Sequence, residues 1–160
     1  MSAQGNPAWC ERIGAARLFL IVALLAIVAA GTIAAAMAHA PSRKLLWMVA
    51  YLVLVVGVTQ AVLGIGQALL AMRETTGPVR LVECAMFNLG NAGVIVGTLC
   101  SLWSLVLAGT LLFAVALAIF LHATRGARAG WSILAYRLLI VGVGGSSIIG
   151  LVLAAAGARP

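Results

Sequence analysis

Four carboxamides (Gln60, Gln67, Asn88 and Asn91), the hydroxyl of Thr98, the carboxylate of Glu83 and the guanidinium of Arg137 stand inside otherwise apolar runs of this chain. In an apolar medium an unpaired amide or charge costs free energy, so each group needs a partner, a wet path or a ligand. Two chemistries suit the carboxamides. Facing one another across two helices, they satisfy donor with acceptor and set register. Lining a gap near mid-membrane, the same groups with Thr98 form a narrow polar path or a small-ligand pocket. Glu83 and Arg137 are the side-chain types of an intramembrane ion pair, set against an interfacial carboxylate in a first helical turn and an arginine that snorkels to the surface.

The other reactive residue types are too scattered to build a centre. Cys10 and Cys84 fall toward one side of the apolar region and Cys100 toward the other, and the chain has no C-x-x-C. His39 and His122 lie at opposite ends of their spans, which prevents a shared metal or the two axial positions of one haem. No metal site, cofactor or disulfide is expected. An enzyme would have to assemble Glu83, His39 and His122 from separate places, so a non-catalytic role is expected.

The elements that position these residues follow from composition. The chain has 160 residues, 64% of them hydrophobic, and contains no aspartate. Apolar runs reach the ~20 residues that a helix needs to cross the hydrocarbon core. The fold class is therefore an all-α integral membrane protein. The formal charge of +7 punctuates the apolar runs and does not gather on a soluble face, which excludes nucleic acid as a partner.

Segmentation gives a five-transmembrane-helix bundle with spans at 18–39, 45–72, 81–99, 103–123 and 131–156, preceded by a cytoplasmic segment 1–17 and followed by a tail 157–160. Gly77 and Pro78 break one helix and open the next. The run from Leu81 to Ala123 would exceed 60 Å as one helix at ~1.5 Å per residue, so it must fold back, and the polar residues of Thr98–Ser104 mark the turn.

Basic residues set the expected orientation. With the N-terminus inside, Arg12, Arg17, Arg73, Arg80, Arg125 and Arg128 are cytoplasmic, against Arg43, Lys44 and Arg159 outside. Trp47 and Trp103 then reach the outer interface, and Trp9, Trp131 and Tyr136 the inner one. The expected topology is N-in and C-out in the inner (cytoplasmic) membrane, the bacterial setting being suggested by an arginine- and alanine-rich composition. The segment Ala36–Ala40 also reads as the end of a cleaved signal peptide, which would leave four spans. The long apolar core and Pro41 after the scissile position favour retention.

Two stripes bring the polar residues together. At ~100° per residue, Cys84, Asn88, Asn91, Ile95 and Thr98 share one face of the third span. Val53, Gly57, Gln60, Gly64, Gln67 and Ala71 repeat the same spacing on the second, where Gly57 and Gly64 admit a close neighbour. Depths counted from Met72 and Leu81 match Gln67 to Asn88 and Gln60 to Asn91. Small residues every four positions, Gly142, Ser146, Gly150 and Ala154, and Ala26, Ala30, Ala34 and Ala38, predict two further helix-packing faces, within the chain or between protomers. Expected partners are membrane lipid and a second copy or a larger membrane complex. The sequence supports a membrane subunit, assembly or interaction protein first, and a solute or ion transporter using the polar seam second.

Overall fold

The computed structural model describes residues 7–70, 76–127 and 130–157, with side chains at 7–13, 15, 153, 154 and 157 left out of the description. Five helices are long and apolar enough to cross a membrane. We label them α1 (Pro7–Ala36), α2 (Arg43–Leu70), α3 (Gly77–Leu99), α4 (Trp103–Ala123) and α5 (Trp131–Gly157). No strand occurs among the described residues. Helices satisfy their own backbone groups, which lipid demands of a spanning segment. The sequence-derived stripes and stretches that include Trp9, Cys10, Arg12, Ala71, Met72, Arg73, Arg128, Ala154 and Arg159 extend outside the described side chains.

The helix ends have local causes. Ser42 caps α2, its Oγ accepting from the Leu45 N–H at 3.3 Å. Pro78 sits in the first turn of α3, where its missing N–H is harmless. That helix starts a full turn before the expected Leu81. The reversal between α3 and α4 lies within Thr98–Ser104 and uses Ser101 at a φ of 57°. Gly126, at a φ of 83°, follows α4.

The antiparallel bundle has one end carrying Arg43 and Lys44 and the other carrying Arg80 and Arg125. Helix α1 packs along α2, α3 pairs with α4 over most of their length, and α5 leans on α4. Glycine makes the α3–α4 pairing tight. A Cβ at Gly109 would stand 2.6 Å from the Val94 nitrogen and 2.7 Å from the Gly90 carbonyl oxygen, and one at Gly97 would stand 2.7 Å from the Val106 nitrogen. Lipid tails are as apolar as leucine, so close backbone approach of this kind holds membrane helices together.

An aromatic cluster fills the centre. The Phe87 ring lies 5.1 Å from Phe113 and 6.4 Å from Phe120, and Phe120 meets Phe19 edge-on at 5.6 Å, centroid to centroid. Leu63, Cys84, Ala116, Leu117, Tyr136 and Ile140 complete this core.

Helix α2 departs from the regular α form. Leu52–Thr59 is a π-helical stretch of 8 residues, in which Thr59 Oγ1 donates to the Leu54 carbonyl at 2.8 Å. In a continuous α-helix Tyr51 would face ~180° away from Gln60. Wider turns rotate less per residue and bring Tyr51 round toward α3 with Gln60 and Gln67.

Two expectations about packing change. Gly57 and Gly64 face α1, not α3: added Cβ atoms would meet Ile27 at 2.6 Å and Phe19 at 2.5 Å. Gly57 lies within the π-helical stretch, but Gly64 shares a regular α-helical segment with Gln60 and Gln67, so the stripe is wide enough to meet α1 and α3 at once. Among the described residues the small-residue face of α5 has no neighbour within the chain at Gly142 or Gly150, where nothing lies within 4 Å of an added Cβ, and Ser146 is exposed, which leaves a contact between protomers as the other expected setting. A stripe of small residues permits close packing but does not supply the partner. On α1, Ala26 and Ala30 are buried, whereas Ala34 and Ala38 are exposed.

Candidate functional site

The polar residues of α2 and α3 do meet, but in a different register from the one the stripes predict. Gln67 Nε2 donates to Glu83 Oε2 at 2.7 Å, with both residues buried. One step further along, Gln60 Nε2 reaches the Cys84 sulfur at 3.6 Å. At the Arg43 end, the Tyr51 hydroxyl donates to Asn91 Oδ1 at 2.7 Å. The predicted pairs, Gln60 with Asn91 and Gln67 with Asn88, share no hydrogen bond. Both contacts lie nearer the Arg80 end of α3 than the depth count places them: Gln67 meets Glu83, five residues before Asn88, and Gln60 meets Cys84, seven residues before Asn91.

The remaining amide hydrogens turn back on their own helix. Asn88 Nδ2 donates to the Cys84 carbonyl at 2.8 Å and approaches the Cys84 sulfur at 3.4 Å, and Asn91 Nδ2 donates to the Phe87 carbonyl at 2.8 Å. Thr98 and Thr110 do likewise, donating to the Val94 and Val106 carbonyls at 2.7 and 2.8 Å. Side-chain to backbone bonds of this kind let a polar residue sit in a membrane helix without a second helix. Among the described residues one buried side-chain atom is left over. Gln60 Oε1 is buried without a hydrogen-bond partner.

Glu83 and Arg137, the candidates for an ion pair, are each bonded elsewhere. Glu83 sits in the second turn of α3, buried against Gln67, not in the first turn. Arg137 donates from Nη2 to the Thr124 carbonyl at 2.7 Å and from Nε to Thr124 Oγ1 at 3.3 Å. Thr124 follows the last residue of α4, so Arg137 caps that C-terminus, where unsatisfied carbonyls and the helix dipole favour a cation. The sequence shows an arginine in an apolar helix and a carboxylate at similar depth, but not the exposed helix end between them. Tyr136, read as interfacial, is buried instead, with its hydroxyl donating to the Leu63 carbonyl at 3.1 Å and its ring against Gly66.

Cys84 is buried and Cys100 exposed, both as free thiols. Among the described residues no group of three or more His, Cys, Asp or Glu could hold a metal ion.

A second feature adjoins the seam at Tyr51 and Thr98. At the Arg43 end a cleft of about 530 Å³ opens between α2, α3, α4 and α5. Its walls include Val55, Val94, Val106, Phe113 and Leu151, and Arg43 and Lys44 stand at its mouth. The cleft exists because the outlying half of α5 presents Ser146, Ser147 and Gly150 where large side chains would have closed the gap. In the sequence alone this stripe reads as a packing face. The five apolar helices and this internal polar seam have the pattern of a multi-pass α-helical membrane protein. No family model, curated protein or solved structure matches the chain.

Proposed function

We propose that the chain is a non-catalytic membrane protein, a subunit, assembly or interaction partner, whose polar seam holds its helices in register. The observation that carries this reading is the closed pairing of the seam. Gln67 is spent on Glu83, Tyr51 on Asn91, Gln60 Nε2 on the Cys84 sulfur, and the asparagine amides on backbone carbonyls, beside the aromatic core that buries Cys84 and Phe87. Bonds of this type average only ~0.6 kcal/mol in membranes, so they select register more than they stabilise.

One observation favours a second reading, a small-solute or ion transporter using the seam. Gln60 Oε1 is an acceptor without a donor at the middle of α2, which is what a passing solute would meet. Purification of the full chain from native membranes with mass spectrometry of what accompanies it, together with solute flux in liposomes, separates the two. A stable partner complex without flux supports the interaction role. Flux that falls on Gln60→Leu substitution establishes transport.

We further propose an N-in, C-out topology in a bacterial inner membrane with the first span retained, supported by the bias of arginines toward the Arg80 end. Single cysteines placed on a cysteine-free background should label from outside at Ser42 and Ser101, and only from inside at Thr76 and Gly126. The reverse pattern would invert the topology, and a mature chain beginning at Pro41 would show that α1 is removed.

A further inference from the structure

We propose that the cleft at the Arg43 end is a binding site for one anionic glycerophospholipid, with an acyl chain between α2 and α5 and the phosphate at Arg43 and Lys44. This inference does not depend on whether the protein acts as a partner or a transporter.

The dimensions are those of one leaflet. The cleft runs from Arg43 and Lys44, at the start of α2, to Val55 on the same helix and Phe113 on α4. At ~1.5 Å rise per residue, Phe113 lies ~15 Å from the start of α4, half of a ~30 Å hydrocarbon core. A soluble anion would need only the mouth of such a site. The walls below the mouth are valine, phenylalanine and leucine, with the hydroxyls of Thr98 and Thr110 turned back on their own helices. A volume of about 530 Å³ far exceeds a packing void, and an apolar cleft open to a bilayer fills with hydrocarbon.

The mouth adds charge selection. Lys44 Nζ donates to the Leu99 carbonyl at 3.2 Å and to Ser101 Oγ at 3.0 Å, which fixes the ammonium over the end of α3 with its charge uncompensated by any carboxylate in that turn. Arg43, adjacent and exposed, brings a planar fork suited to phosphate. Trp47, its ring 5.1 Å from Tyr51, lies just below, the usual depth for an indole at a headgroup boundary. Two cations over an apolar slot of leaflet depth complement an anionic lipid and not a zwitterionic one.

The test uses the full chain reconstituted in vesicles of mixed phosphatidylglycerol and phosphatidylcholine, then released for native mass spectrometry. The expected result is one retained phosphatidylglycerol per chain. Arg43→Gln should reduce that adduct about fivefold, the value of one cation at an anionic membrane surface. Gly150→Leu, which fills the slot at a position with open space around it, should abolish retention of either lipid. Unchanged thermal unfolding of both variants shows that the fold survives. Equal retention of the two lipids, an adduct indifferent to both substitutions, or a lipid-free dimer in which a second copy covers the cleft would each overturn the proposal.

Discussion

Replacing Gly109 with alanine should destabilise the bundle by ~1–3 kcal/mol, the usual cost of forcing a methyl into a packed interior. The new Cβ would fall 2.6 Å from the Val94 nitrogen, 2.7 Å from the Gly90 carbonyl oxygen and 2.8 Å from the Gly93 carbonyl carbon. All three are backbone atoms, so no rotamer change relieves the clash and α3 and α4 must move apart. The separation would also loosen the Phe87–Phe113 contact, which spans the same two helices. The comparison is Gly142→Ala on α5, where nothing lies within 4 Å and no loss is expected. Reversible unfolding in bicelles measures both. Equal stability of the two variants would show that the α3–α4 contact is looser than the structure has it.

The second large effect belongs to the Gln67–Glu83 pair. Gln67→Leu removes the donor to Glu83 Oε2 while leaving the carboxyl buried, and should cost ~1–3 kcal/mol. Glu83→Gln preserves an acceptor of the same shape and should retain most of the stability. Removing both partners, in Gln67→Leu with Glu83→Leu, should recover part of the loss, because neither group is then left without its mate. The unfolding cycle is the measurement. Strict additivity would mean that the two side chains do not bond in the membrane.

The elements are far more legible in the sequence than their contacts. Helix-length apolar runs, Pro78, and the polar turn before Trp103 are local signals, and they mark five helices and the reversal between α3 and α4. Register is not local. It depends on how deep each helix sits against its neighbour, and the partners of Gln67 and Gln60 lie five and seven residues from the asparagines that the depth count assigns to them. Nor does Leu52–Thr59 announce a π-helix: its valines and leucines read as ordinary apolar helix, yet the change of period brings Tyr51 to Asn91, on the same side as Gln60.

The glycine contact of α3 with α4 carries a readable sign. Gly90, Gly93 and Gly97 repeat at three and four residues, and Gly109 lies at matching depth after the turn. The carboxamides on the same helix draw the eye to a different face. On α5 the converse holds. Gly142, Ser146 and Gly150 repeat as well, but only the arrangement of the other helices reveals that Ser146 and Gly150 border an open cleft. The fate of Arg137 is hidden for a similar reason: its acceptor is the end of another helix, and a backbone carbonyl has no letter in the sequence.

In the register-holding role proposed for the seam between α2 and α3, no water reaches Cys84, which serves as a native reporter, buried beside Gln60 and Asn88. With Cys10 and Cys100 replaced by serine and the protein folded in liposomes, a water-soluble methanethiosulfonate applied from both sides should leave Cys84 unmodified until denaturant is added. A companion chain keeping Cys100, which is exposed, should react at once and so verify the reagent. Prompt modification of Cys84 in the folded protein would show that water reaches the seam and would contradict the account.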